Sequence, residues 1–180
     1  MKFAAMKFVV ALFALLLPFA ASAQDLWAPV VSRDLRFRLE MPAPVEQGQA
    51  TQERGHAGPR FAWAAKVQEE MFDFDFVDYE EGTLGRDSKV MARELGRGEA
   101  EKAFPPARFK YVRDEAVTVQ GWDGYALDIE DEKGHGVMMR TYIVRDRLYR
   151  QLVSHRGDPK TKAAAKRFLD SLKFAESRQP

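Results

Sequence analysis

The chain has 180 residues, with 46% hydrophobic, 12% aromatic and 31% charged side chains, and 28 basic residues stand against 27 acidic ones. At roughly 100–200 residues per domain this is one globular unit, and the mix excludes disordered, collagen-like and coiled-coil chains. A net charge of +1 argues against a strongly basic nucleic-acid binder, and the absence of cysteine excludes disulfides, Cys-zinc sites, cysteine nucleophiles and a lipobox anchor.

Residues 1–23 read as a secretory signal peptide. Lys2 and Lys7 form a basic start, Phe8 to Leu17 is an unbroken apolar run, Pro18 ends it, and Ala21-Ser22-Ala23 is a small-x-small cleavage pattern. Ten residues rise about 15 Å as a helix, half of a bilayer core. Met6 is an equally valid start. Cleavage leaves one domain, residues 24–180, with 26 basic and 27 acidic residues, no further membrane-length apolar run and a periplasmic or secreted destination.

Beyond the signal, Leu35, Phe37, Leu39 and Met41 alternate with polar residues, which predicts a half-buried strand ending at Pro42 and Pro44. Residues 47–59 are polar and predict a loop or weak edge strand. Phe61, Trp63, Ala65 and Val67, then Phe72, Phe74 and Phe76, predict an antiparallel hairpin turning near Glu69-Glu70, with Asp73 and Asp75 facing away from the phenylalanines. Residues 82–104 switch to helical spacing, with Asp87 or Ser88 as cap, and Gly96 and Gly98 are expected to end or kink the helix. Four strands follow from Arg108 to Ser154, turning at Gly121-Trp122-Asp123-Gly124, Gly134-His135-Gly136 and Arg145-Asp146-Arg147, in an antiparallel meander. Asp158-Pro159 starts a closing helix, whose Ala164, Ala165, Phe168, Leu169 and Leu172 form one apolar stripe. The fold class is α+β: an antiparallel sheet with flanking helices.

Several of these features together resemble the PsbP-like superfamily, with its Mog-type and DcrB-like members. They are Phe37-Arg38-Leu39-Glu40-Met41-Pro42, Gly121-x-x-Gly124 leading into a strand, Arg140-Thr141-Tyr142 followed by Asp146 to Leu152, and Arg167 to Phe174 in the closing helix. The resemblance implies an α/β/α sandwich, and accessory or partner-binding proteins of the envelope rather than one enzyme class. It supplies no catalytic motif to carry over.

The residues offer no sharper chemistry. His56, His135 and His155 have no metal-ligand spacing, and Ser154 and His155, adjacent on a strand, point to opposite faces. No Gly-x-Ser-x-Gly, His-Glu-x-x-His, Gly-x-Gly-x-x-Gly or P-loop pattern occurs. Glu69 to Glu81 holds seven acids and no base, and Asp73, Asp75 and Asp78 are the candidate ligands there for Ca²⁺ or another divalent cation, unless the run is only a solvated face. Arg140 to Arg167 holds nine bases and two acids, and Arg145, Arg147 and Arg150 are its candidate contacts for an envelope protein or an anionic surface, with solvation as the competing reading. Trp63 is expected in the core, whereas Trp122 either covers a core end or forms a contact surface. The leading expectation is a non-catalytic accessory protein, more an interaction module than an enzyme. A small periplasmic hydrolase with an unreadable triad and a carrier of a metal or small ligand are the alternatives.

Overall fold

A computed structural model describes residues 26–50, 57–84 and 87–176. The signal peptide, His56 and the last four residues lie outside them. The described chain runs β1 (Trp27–Val31), β2 (Phe37–Pro42), β3 (Glu46–Ala50), β4 (Ala57–Val67), β5 (Glu70–Tyr79), α1 (Ser88–Ala103), β6 (Lys110–Val119), β7 (Trp122–Glu130), β8 (Gly136–Val144), β9 (Arg147–His155), α2 (Pro159–Asp170) and β10 (Lys173–Phe174).

Seven strands form one antiparallel sheet in the order β3-β4-β5-β9-β8-β7-β6, and a small sheet has the order β1-β2-β10. The meander is β6 to β9, and β9 then pairs with β5, far back in the chain. Because side chains alternate across a strand, each central strand serves two cores. Phe72, Phe74 and Phe76 of β5 and Tyr149 and Val153 of β9 pack with Phe37, Leu39 and Met41 of the small sheet and with Phe168 and Leu169 of α2. On the other face Tyr125, Leu127, Ile129, Met139, Ile143 and Leu148 meet Ala92 and Ala100 of α1. The layers are therefore α1, the large sheet, and α2 with the small sheet.

The first core is aromatic. The Phe37 ring lies 4.6–5.8 Å from those of Phe74, Trp63, Phe76 and Tyr149, mostly edge-on. Such pairs contribute about 0.5–1.5 kcal/mol each beyond burial. Trp63 and the Phe168–Leu169–Leu172 stripe are buried.

Both helices start where the sequence places their caps. Asp87 accepts from the Val90 amide at 3.1 Å, and Asp158 accepts from the Lys160 and Thr161 amides at 3.0 Å. The expected break at Gly96 and Gly98 does not occur: α1 is continuous from Ser88 to Ala103. Gly96 is the contact point between helix and sheet, where an added Cβ would sit 2.9 Å from Thr141 Oγ1, so its glycine serves close packing rather than a bend. The meander's first turn falls one residue earlier than expected, at Gln120-Gly121, both with positive φ, and Trp122 opens β7. β1 and β10 are not signalled by alternation, since β1 contains Pro29 and β10 has two residues.

Candidate functional site

The acidic and basic runs are neighbours in space. Antiparallel pairing of β5 with β9 sets Asp75 opposite Arg150 and Asp78 opposite Arg147. Arg150 donates to Asp75 Oδ2 from Nε (3.0 Å) and Nη2 (2.7 Å) and also ion-pairs with Glu99 of α1. Arg147 grips Asp78 with two parallel bonds, Nε to Oδ1 at 2.6 Å and Nη2 to Oδ2 at 2.8 Å. Such fork-to-fork pairs fix geometry as well as charge.

Period two separates the three candidate aspartates. Asp73 and Asp75 share the α1 face of β5, whereas Asp78 lies on the phenylalanine face, so the strand does not bring them together around one ion. Among the described residues no three His, Asp or Glu side chains converge as metal ligands. The candidate arginines are spread as well. Arg147 and Arg150 are buried in these pairs, while Arg145 is exposed and bonded to Glu176. Trp122 is half-buried against the core, and its Nε1 donates to the Glu176 carbonyl at 3.0 Å. Arg145 and Trp122 thus hold the segment that follows β10.

Arg147 stands in the wall of a cleft of about 610 Å³. Phe61, Trp63 and Phe76 floor it, with Phe76 stacked on Phe61 at 5.1 Å and on Trp63 at 5.9 Å. Ser32 and Asp34, in the β1–β2 connection, form one rim, and Gln47 of β3 forms the other. Arg147 fastens the first rim to the sheet. Its Nη1 lies 2.8 Å from Asp34 Oδ2 and its guanidinium lies 4.1 Å from the centre of the Phe76 ring. Burial opposes the charge on Asp34, yet bonds from Ser32, the Arg36 amide and Arg147 prevail and hold its carboxyl below the usual range. Burial likewise opposes the charge on Arg147, and its bond to Asp78 leads the contacts that outweigh it, so it stays protonated throughout. With its fork occupied on two sides, Arg147 acts as a clamp shaping the cleft. The cleft itself offers aromatic surface.

Beside the cleft is a sheet edge. β3 pairs with β4 and with no other strand among the described residues, and its register sets Gln47 opposite Trp63 and Gln49 opposite Phe61. A strand added outside β3 would direct every second side chain, about 7 Å apart, to the aromatic face. Sequence reasoning places Trp63 in the core, where it is buried. It offers Arg147 as a contact for a partner, whereas the guanidinium is taken up by Asp78 and Asp34. It misses the cleft, because the β1–β2 connection at its rim carries no pattern of its own.

No protein-family model matches the chain, and no curated protein matches it in sequence. Solved structures do. The solution structure of cyanobacterial PsbP (CyanoP) from Synechocystis superposes with a TM-score of 0.59 at 11% identity, over 83% of this chain and 93% of that one. The fold is PsbP-like. A Pseudomonas aeruginosa protein of unknown function, described as a putative regulator, matches with a TM-score of 0.40 at 17% identity over 86% of this chain and 98% of that one. A Bacteroides thetaiotaomicron protein matches with a TM-score of 0.41 at 12% identity, over 82% of this chain and 48% of that one. Among the described residues no helix is long and apolar enough to cross a membrane.

Proposed function

We propose that this PsbP-like chain is an exported, non-catalytic accessory protein that binds an extended segment of a partner protein of the envelope. The reading rests on the aromatic cleft lying beside β3, whose outer edge pairs with no strand among the described residues. The edge supplies main-chain donors and acceptors, and the cleft receives alternate apolar side chains, which is how strand addition obtains both affinity and specificity. Export rests on the signal-like residues 1–23, and the accessory role is also what the PsbP-like resemblance implies.

A photo-crosslinking side chain at Gln47 tests the site in cells, with the same group at Lys110, on the opposite sheet edge, as control. The expected result is a discrete partner captured from position 47 and not from 110. A peptide from that partner should bind the purified chain, and Gln47→Trp, which fills the cleft from its exposed rim, should weaken binding at least tenfold. Equal capture from both edges, or undiminished binding by the Gln47→Trp variant, would overturn the reading. An amino terminus beginning at Gln24 on the recovered protein is the expected mark of export.

A further inference from the structure

Among the described residues, a second cavity of about 340 Å³ lies between the C-terminal half of α1 and strands β4, β5 and β9. Ala103, Ile129, Met139 and Leu152 are among its apolar walls, and Asp73 stands opposite Leu152 across the β5–β9 junction. The walls also carry five charges. Arg150 is bound to Asp75 and Glu99, and Arg60 completes the square, with Nε 3.7 Å from Asp75 and Nη2 3.5 Å from Glu99. Two guanidiniums thus meet two carboxylates.

Asp73 is the fifth charge. It lines the same cavity two residues along β5, and no hydrogen bond or ion pair holds its carboxylate among the described residues. Lys66, on the same face of β4, is exposed and forms no ion pair with it among the described residues. Burial, and then the neighbouring Asp75, push the Asp73 carboxyl above the usual range, against the smaller opposing effect of Arg150. A half-buried carboxylate in a largely apolar cavity has no ion-pair partner among the described residues, and a cation seated there relieves both causes.

We propose that this cavity binds a monovalent organic cation, a primary amine on a short aliphatic body, with its ammonium against Asp73 and its chain along Ile129, Met139 and Leu152. The volume is at the low end of the roughly 300–1,000 Å³ typical of small-molecule sites, which suits a short chain. The site is separate from the β3 cleft and stands whether or not that cleft binds a partner.

Calorimetric titration of the full domain with hexylamine, hexan-1-ol and hexanoate at pH 7.5 and fixed ionic strength tests it. Hexylamine should bind at least tenfold more tightly than hexan-1-ol, and hexanoate more weakly than both. Asp73→Asn should abolish the preference for the amine and leave the alcohol's binding unchanged, and Asp73→Glu should retain the preference. Amide shifts induced by hexylamine should centre on Asp73, Ala103 and Leu152. Failure of hexylamine to bind, equal binding of amine and alcohol by the natural chain, or an amine preference that survives Asp73→Asn would each overturn the assignment. Folding of each variant is checked by circular dichroism, and the unchanged alcohol affinity shows that the cavity is intact.

Discussion

Asp75 and Arg150 face each other across the β5–β9 junction, joined by bonds of 2.7 and 3.0 Å, and their side chains are only 13% and 10% exposed. Charges so shielded stabilise the fold only as a set. Breaking a buried pair by removing one partner costs about 3–5 kcal/mol, because the other charge is stranded. Arg150→Met should therefore lower the unfolding free energy by about that much, since it strips both Asp75 and Glu99 of their main counter-ion. The double variant Asp75→Asn with Arg150→Met should be markedly more stable than the sum of the two single losses predicts. Urea denaturation of the four proteins measures the coupling, which additivity within about 0.5 kcal/mol would refute.

That junction also marks the limit of what the sequence discloses. Alternation at Phe72, Phe74 and Phe76 and at the meander strands identifies the strands, and Asp87 and Asp158 identify the helix starts, because these signals are local. Which strand lies beside β5 is not local. Asp75 and Arg150 are separated by 75 residues, with α1 and three strands between them. Two charge runs that read as separate surfaces along the chain thus neutralise each other where β5 meets β9. The cleft was illegible for the same reason. Its floor comes from β4 and β5, its clamp from β9 and one rim from a β1–β2 connection without periodicity.

The two glycines of α1 should respond to alanine in opposite directions. Nothing lies within 4 Å of a Cβ added at Gly98, so Gly98→Ala gains only helix propensity and should stabilise by about 0.5–1 kcal/mol. A Cβ at Gly96 would sit 2.9 Å from Thr141 Oγ1 and 3.2 Å from Tyr125 Cδ1, both buried. Gly96→Ala should cost about 1–3 kcal/mol as helix and sheet are forced apart. Thermal unfolding of the two variants decides this, and equal shifts would show that α1 packs on β7 and β8 in some other way.

His155 should make stability fall on mild acidification. Burial, then the nearby Lys162, lower its pKa in the fold, with Glu130, Asp128 and Asp158 acting in the opposite sense. The folded histidine stays neutral while the unfolded one takes up a proton as the pH drops through about 6.5. The contribution of this group is therefore complete above that pH and is lost below it, with a slope of at most about 1.4 kcal/mol per pH unit. Asp73, held above the usual carboxylate range, changes stability in the reverse direction, so the informative quantity is the difference between two proteins. Unfolding free energies at pH 7.5, 6.5 and 5.5 should decline less steeply for His155→Gln than for the natural chain. Parallel profiles would contradict the assignment to His155.

Gln151 is the polar residue most deeply set in the aromatic core, with no exposed surface. Its Nε2 donates to the Phe168 carbonyl at 2.9 Å, whereas its Oε1 is buried without a hydrogen-bond partner. The Phe168 carbonyl also receives the Ser171 amide at 3.2 Å and the Ser171 hydroxyl at 2.7 Å, so it keeps donors if the glutamine is lost. Gln151→Met removes one bond and one orphan acceptor while leaving the volume nearly unchanged. The two effects oppose each other, and the net change should stay within about 1 kcal/mol of zero. Phe168→Ala, at the same α2–sheet contact, removes a fully buried ring 5.6 Å from Phe72 and should cost about 3–5 kcal/mol. Chemical denaturation of both variants tests the contrast. A loss above about 2 kcal/mol for Gln151→Met would mean that its amide holds α2 to the sheet more strongly than a bond with a shared acceptor can.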